Sequence, residues 1–164
     1  ENPWKIQNNA LFVRFDAFLE RCHDILDLAQ TILLFQKLAK TEIGGTKGKT
    51  LSTSVAQIYF DFTQAVDYVK NIGSGIMDVD NKEFENAFYE FRNRMKELDR
   101  RLGSVIVQGF DDAKTVMGMF RLLESFDNLI HRPLVADKLE KKHGVLIEAL
   151  QRDIEEVHNL FFDM

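Results

Sequence analysis

The stretch from Leu11 to Leu33 reads LFVRFDAFLERCHDILDLAQTIL, and its apolar spacing decides the fold class. Leu11, Phe15, Phe18, Cys22, Ile25, Ala29 and Ile32 recur at alternating gaps of four and three, the repeat of one face of an α-helix. Beside them Phe12, Leu19, Leu26 and Leu33 fall once every seven residues. The combined stripe is three positions wide per heptad, broader than the two-position seam of a simple coiled coil. Such a helix needs partners on more than one side. It reads as the spine of a helical bundle, with Phe15 in the core.

The rest of the composition agrees. A chain of 164 residues suits one domain and can bury roughly 70% of the surface its unfolded form exposes. Its 14 phenylalanines supply the large rigid rings that an interlocked helical core uses. The net charge of −5 comes from 26 acidic and 21 basic residues mixed along the chain, which is no footprint for nucleic acid. Cys22 is the one cysteine, so an internal disulfide and a multi-cysteine metal site are both excluded. Its place on the apolar stripe predicts a buried, inert thiol. No apolar run approaches the ~18 residues of a membrane span, and no signal peptide opens the chain, so a cytosolic compartment is expected. The first residue is Glu1, in keeping with a piece of a longer polypeptide.

The two prolines, Pro3 and Pro133, leave a long interval free of helix breakers of that kind, which favours long helices. The first helix is expected from Asn8 or Asn9, as N-cap, to about Lys40. The loop Ile43-Gly44-Gly45-Thr46-Lys47-Gly48-Lys49 ends it. Thr50 is the expected cap of a second helix with Leu51, Val55, Ile58, Phe62, Ala65, Val69 and Ile72 inward, closed by Gly73-Ser74-Gly75. Asp80 and Glu83 have capping-box spacing for a third helix, with Val79 and Phe84 as a hydrophobic staple. That helix carries Phe84, Phe88, Phe91, Met95, Leu98, Leu102 and Val105, and ends near Gly109; the strand flavour of Ser104 to Val107 yields to the stripe. A fourth restarts at Asp111 or Asp112, with Val116, Met119, Phe120, Leu123, Phe126 and Ile130 inward. Pro133 stops it and pushes Arg132 out of helical geometry. A last helix from Leu134 to about Phe162 has Leu139, Leu146, Leu150, Ile154, Val157 and Phe161 inward, with Gly144 a point where it could divide. The expected fold is all-α: an elongated antiparallel bundle of about five long helices, one unit over residues 1–164.

Candidate chemistry is sparse. The Gly44–Thr50 loop resembles a phosphate cradle, but a P-loop needs glycine five positions before its Gly-Lys-Thr, and Ile43 stands there. An anion at the start of the second helix remains physically reasonable beside Lys49. A phosphate- or nucleotide-responsive module using Lys47, Lys49 and Thr50 is therefore the alternative functional reading. Glu20/His23, Glu140/His143 and Glu155/His158 have the spacing of di-iron ligands. At ~100° per residue, however, each places its carboxylate about 120° to 160° away from the apolar face, toward water. Four scattered histidines suggest no catalytic set, so no catalytic residue, metal or cofactor is assigned. Asp16, Glu20, Asp24 and Asp27 form an acidic ridge on the back of the first helix, a solvated face or a docking edge for a basic partner. Trp4, beside Pro3, is a further candidate contact, as are Lys47 and Lys49.

Three stretches together resemble the N-terminal tail region of dynein heavy chains. They are Phe15-Asp16-Ala17-Phe18-Leu19-Glu20-Arg21-Cys22; Thr41-Glu42-Ile43-Gly44-Gly45-Thr46-Lys47-Gly48; and Phe110-Asp111-Asp112 through Leu122-Leu123-Glu124-Ser125-Phe126 to His131-Arg132-Pro133. The Glu-Ile-Gly-Gly-Thr-Lys-Gly loop is more similar to the axonemal branch than to the cytoplasmic one. The resemblance implies a non-catalytic scaffold whose partners are other heavy-chain tails, intermediate and light chains, and docking proteins on doublet microtubules. It also implies a place in the axoneme of a cilium or flagellum, within the cytoskeleton, with no nucleic acid or membrane involved. The ATP-hydrolysing ring of that family lies in a separate C-terminal motor. A generic helical adaptor unrelated to dynein is the remaining alternative.

Overall fold

A computed structural model describes the backbone of residues 3–162 and side chains from Asn8 to Phe162. Five α-helices follow one another: α1 (Pro3–Gln36), α2 (Gly48–Lys70), α3 (Lys82–Asp112), α4 (Val116–Ser125) and α5 (Pro133–Phe162). Short 3-10 turns at Lys37–Lys40 and Gly73–Met77 help to make the first two connections, and no strand occurs among the described residues. The chain is all-α, as its periodicity predicts.

The helices alternate in direction. Phe35 near the end of α1 stacks on Phe62 of α2 at 4.7 Å between ring centroids. Asp61 of α2 meets Arg101 of α3, and the loop before α2 reaches Asp112 at the end of α3, so α2 and α3 run antiparallel. Arg132 meets Asp99 and Lys142 meets Asp111, so α5 runs parallel to α3 once the short α4 has brought the chain back. Gly103 permits that close approach, since a Cβ there would lie 3.1 Å from the Lys138 side chain.

The spine is α3 and not the Leu11–Leu33 stretch. Phe84, Phe88, Phe91, Met95, Leu98, Leu102, Ile106 and Phe110 are buried from its first turn to its last, with α2 on one side and α4 and α5 on the other. Each such Phe contributes about 1.5–3 kcal/mol by leaving water. The α2 stripe is equally faithful to its spacing, with Leu51, Val55, Ile58, Phe62, Ala65 and Val69 all buried.

In α1 the expected inward face is wrong along most of its length. Leu11, Phe15, Phe18 and Ala29 are exposed, Phe15 by 56%, and only Cys22, Ile25 and Ile32 of that row are half-buried. The bundle takes the neighbouring row instead: Arg21, Leu28, Thr31 and Phe35. The first part of α1 overhangs the bundle at the end where α3 begins. At the opposite end the last turns of α5 overhang in the same way, so Leu150, Ile154, Val157 and Phe161, expected inward, are exposed. Val135, Leu139 and Ala149 are the buried contacts of α5, and the helix passes Gly144 unbroken.

Helix ends shift by a few residues for local reasons. Pro3 occupies the first turn of α1, where its fixed φ suits a helix start, so neither Asn8 nor Asn9 is the cap. Asn81 caps α3, accepting from the Glu83 amide at 2.9 Å, in place of the expected Asp80. Thr115 caps α4 through Gly118, and α3 runs on past Gly109 to Asp112. Phe120, expected inward, is exposed, while Leu122 takes its place in the core.

Candidate functional site

Two arginines, Arg21 buried and Arg132 half-buried, hold the connections together. Arg21, 3% exposed, donates to the Ile76 carbonyl at 2.7 Å, the Asp78 carbonyl at 2.6 Å and the Asn81 carbonyl at 3.3 Å. Its guanidinium lies 4.3 Å from the Phe84 ring centroid. A planar fork with five donors is suited to satisfying several carbonyls of a 3-10 turn at once. Arg132 forms a bidentate pair with Asp99 and sits over Phe35. Sequence reasoning missed both roles. For Arg21 a signal was present, since Phe18, Arg21, Ile25, Leu28, Ile32 and Phe35 form a three-four row of their own.

The glycine loop is also engaged internally. The Asp112 carboxylate accepts from the Lys47 backbone N–H at 2.9 Å and from the Thr46 hydroxyl. Asp112 therefore caps α2 from across the fold, where Thr50 was the expected cap. Gly45 lies at φ +92°, and a Cβ there would come within 2.6 Å of the Asp112 carboxylate. The loop needs glycine so that this carboxylate can approach. The Lys47 N–H and the Thr46 hydroxyl, first of all, hold the Asp112 pKa below the ordinary carboxylate value. The anion expected at the start of α2 is thus the chain's own side chain. Beside the loop, Ile43, Leu122, Glu42, Lys114, Arg121 and Glu124 line an open cleft of about 730 Å³.

The acidic ridge forms as spaced. Asp16, Glu20 and Asp27 are exposed along the back of α1, while Asp24 is half-buried. Burial raises the Asp24 pKa, against the opposing pull of Arg92 and Arg21. Lys47 and Lys49 are exposed at the other end of the bundle and do not join this ridge. Trp4 lies outside the residues whose side chains are described. Cys22 is half-buried where full burial was expected. All three Glu-x-x-His pairs are solvent-exposed. Among the described residues, no three His, Cys, Asp or Glu side chains converge as a metal set, and no helix is long and apolar enough to cross a membrane.

The largest apolar surfaces lie on the overhanging rods. Leu11, Phe12, Val13, Phe15, Phe18, Leu19, Leu26 and Leu33 are exposed on α1. Ile147, Leu150, Ile154, Val157, Leu160, Phe161 and Phe162 are exposed on α5. Scattered surface apolar residues are ordinary, but continuous stripes of this length are characteristic of surfaces that meet other proteins.

Fold and surface together define an all-helical bundle with overhanging apolar rods. The chain belongs to the family described as "Dynein heavy chain, N-terminal region 1", whose model matches residues 1–164. It is 50% identical over 161 residues, 98% of the chain, to the "Dynein beta chain, flagellar outer arm" of Chlamydomonas reinhardtii. It is 36% identical over 158 residues to "Dynein axonemal heavy chain 9" of Homo sapiens, and 30% identical over 158 residues to "Dynein beta chain, ciliary" of Tripneustes gratilla. In each of these the chain spans 4% of the relative's length. The matched region is the N-terminal tail of the heavy chain, distinct from its ATPase motor.

Proposed function

We propose that the chain is a non-catalytic scaffold segment of an axonemal dynein heavy-chain tail, one helical-bundle unit over residues 1–164 within a much longer polypeptide. Its role is to associate with other heavy-chain tails, to carry intermediate and light chains, and to help dock the motor complex on doublet microtubules in ciliary motility. Its place is the axoneme of a cilium or flagellum. The observation that carries this reading is the pair of uncovered apolar rods, α1 and α5, on a bundle whose buried charges are already committed to internal clamps. Residue types that would do chemistry are either solvated singly or bonded to the chain itself. The acidic ridge of Asp16, Glu20, Asp24 and Asp27 is a second contact surface, suited to a basic partner. Lys47 and Lys49, and Trp4 near the start of α1, are the remaining candidate contacts.

Mixing the chain with candidate intermediate chains and with a second heavy-chain tail, then measuring co-elution, tests the proposal. Stable co-elution with at least one is expected. Failure with every one of them overturns it.

A further inference from the structure

One wall of the cleft beside the glycine loop is backbone without a partner. Residues 41–44 are neither helix nor turn, and Thr41 is extended at φ −81° and ψ 121°. Glu42 is exposed, Ile43 buried and Gly44 exposed, the two-residue period of a strand. In an extended chain the N–H and C=O groups of successive residues point to opposite sides. The Ile43 N–H donates to the Ser52 hydroxyl of α2 at 2.9 Å, and a Cβ on Gly48 would collide with the Ile43 carbonyl. Ile43 therefore turns both groups toward α2. Those of Glu42 and Gly44 turn the other way, and among the described residues no group bonds to them. The segment is a strand edge lying open along the cleft of about 730 Å³, with Gly118, Arg121, Leu122 and Ser125 lining it from α4.

We propose that this edge receives an extended, uncharged peptide segment of another protein by strand addition. The backbone of that segment pairs with Glu42 and Gly44, and its alternate side chains, small and apolar, rest on the cleft floor of Gly109 and Leu122. Three observations select this occupant. A ladder of free N–H and C=O groups is matched by another extended chain, since a helix has already used its own. The two sides of such a chain meet different surroundings. On the side of the Ile43 side chain it faces buried Gly109 and Leu122. On the side of Glu42 and Gly44 it faces water, for a Cβ on Gly44 would meet nothing within 4 Å. Charge at the rim is balanced, Glu42 and Glu124 against Lys114 and Arg121, while Asp112 is held by Thr46 and the Lys47 N–H. A strongly charged segment gains nothing there.

Proteins ordinarily cover a free edge or guard it with charge. This one carries a single charged side chain, Glu42, two residues from a glycine. The site lies apart from the α1 and α5 rods and from the acidic ridge, so it goes beyond the scaffold reading and stands without it.

The peptide acetyl-Thr-Val-Thr-Val-Thr-amide, neutral and β-prone, is the probe. Titrated into the isotopically labelled chain, it should shift the Glu42 and Gly44 amide resonances saturably, with a dissociation constant below about 1 mM. At saturation, exchange of those two amides should slow at least ~10-fold, whereas the Ile43 amide, already bonded to Ser52, should not change. Gly44→Pro removes a donor that the fold leaves unused, at a position without positive φ. It should weaken binding at least ~10-fold with the helical far-UV spectrum kept. Gly44→Ala keeps the donor and should bind as the unaltered chain does. The same peptide N-methylated at each amide should not bind the unaltered chain, a readout that does not depend on the proline variant folding. No saturable shift at about 5 mM peptide, shifts that spare Glu42 and Gly44, equal binding of the N-methylated peptide, or undiminished binding by folded Gly44→Pro would each overturn strand addition. So would loss of binding in Arg121→Ala with Gly44→Pro unaffected, the pattern of a contact made through charge alone.

Discussion

Arg132 grips Asp99 with two parallel bonds, Nε to Oδ1 at 2.6 Å and Nη2 to Oδ2 at 2.8 Å, joining the entry to α5 to the middle of α3. Pro133 makes this possible: the residue before a proline is disfavoured in helical geometry, and Arg132 is left outside the first turn. Asp99 is 5% exposed, so removing its carboxylate strands a guanidinium in a setting that also holds the Phe35 ring. Asp99→Ala should cost about 3–5 kcal/mol in urea unfolding, the range for breaking a buried ion pair from one side. A loss below about 1 kcal/mol would show that the pair is solvated and dispensable.

Arg21 should be as sensitive, for a different reason. Its substitution by alanine removes the side-chain donor from the carbonyls of Ile76, Asp78 and Asn81, of which Asp78 keeps the Asn81 N–H, and a bond involving a charged group contributes about 1.5–3 kcal/mol. A net loss of about 2–4 kcal/mol is expected. Arg21→Lys should recover little of it, because an ammonium cannot span three carbonyls as a planar fork does. Hydrogen exchange should show the gain in rate concentrated in Gly73–Asn81; uniform loosening of the whole bundle would argue that Arg21 does not hold this connection.

The contrast between α3 and α1 shows what spacing alone can resolve. In α3 the polar residues confine the apolar stripe to one face, so position in the heptad and burial coincide from Phe84 to Phe110. In α1 the apolar residues cover two adjacent faces. Periodicity then marks a helix without saying which face the bundle will take, and Phe15 was placed on the wrong one. Ile154 and Val157 are exposed for another reason: the last turns of α5 run past the bundle, and spacing does not tell where a helix outlasts its neighbours. Arg21 was half legible: the row it shares with Leu28 and Phe35 marks the covered face, but its role depends on carbonyls brought from a turn more than fifty residues away. The glycine loop was half legible, since its anion affinity is real but Asp112 satisfies it.

Three carboxylates have opposing effects on acid stability. Arg101, bonded to Asp61 at 2.6 Å, lowers the Asp61 pKa, and the Lys47 N–H with the Thr46 hydroxyl lowers that of Asp112. Their stabilising contributions are complete above the ordinary carboxylate value of 3.8 and are lost as pH falls through the lower folded values. Asp24 has the opposite sign: burial raises its pKa, so its ionised form works against the fold at neutral pH. Asp24→Asn should therefore raise the urea midpoint at pH 7, and Asp112→Asn should lower it while leaving less to lose in acid. An unchanged acid limb in Asp112→Asn would remove this carboxylate from the account.

The loop itself offers a cleaner readout of the same clasp. If Asp112 holds the anion position, the Lys47 amide resonance should titrate with the Asp112 carboxyl, at a midpoint below 3.8. Millimolar ATP or GTP should produce no calorimetric heat with the unaltered chain, since Lys47 N–H and the Thr46 hydroxyl are already bonded. Saturable heat, lost on substituting Lys49, would revive the nucleotide reading.

Phe15 and Phe35 separate the two faces of α1 most sharply. Phe35 is fully buried, stacked on Phe62 with an interplanar angle of 25°, and Phe35→Ala should cost about 3–5 kcal/mol in chemical unfolding. Phe15 is 56% exposed on the outward face, so Phe15→Ala should cost less than about 1 kcal/mol in the same measurement. Were Phe15→Ala to cost as much as Phe35→Ala, the outward face of α1 would have to be buried within the chain, and the overhang would fall.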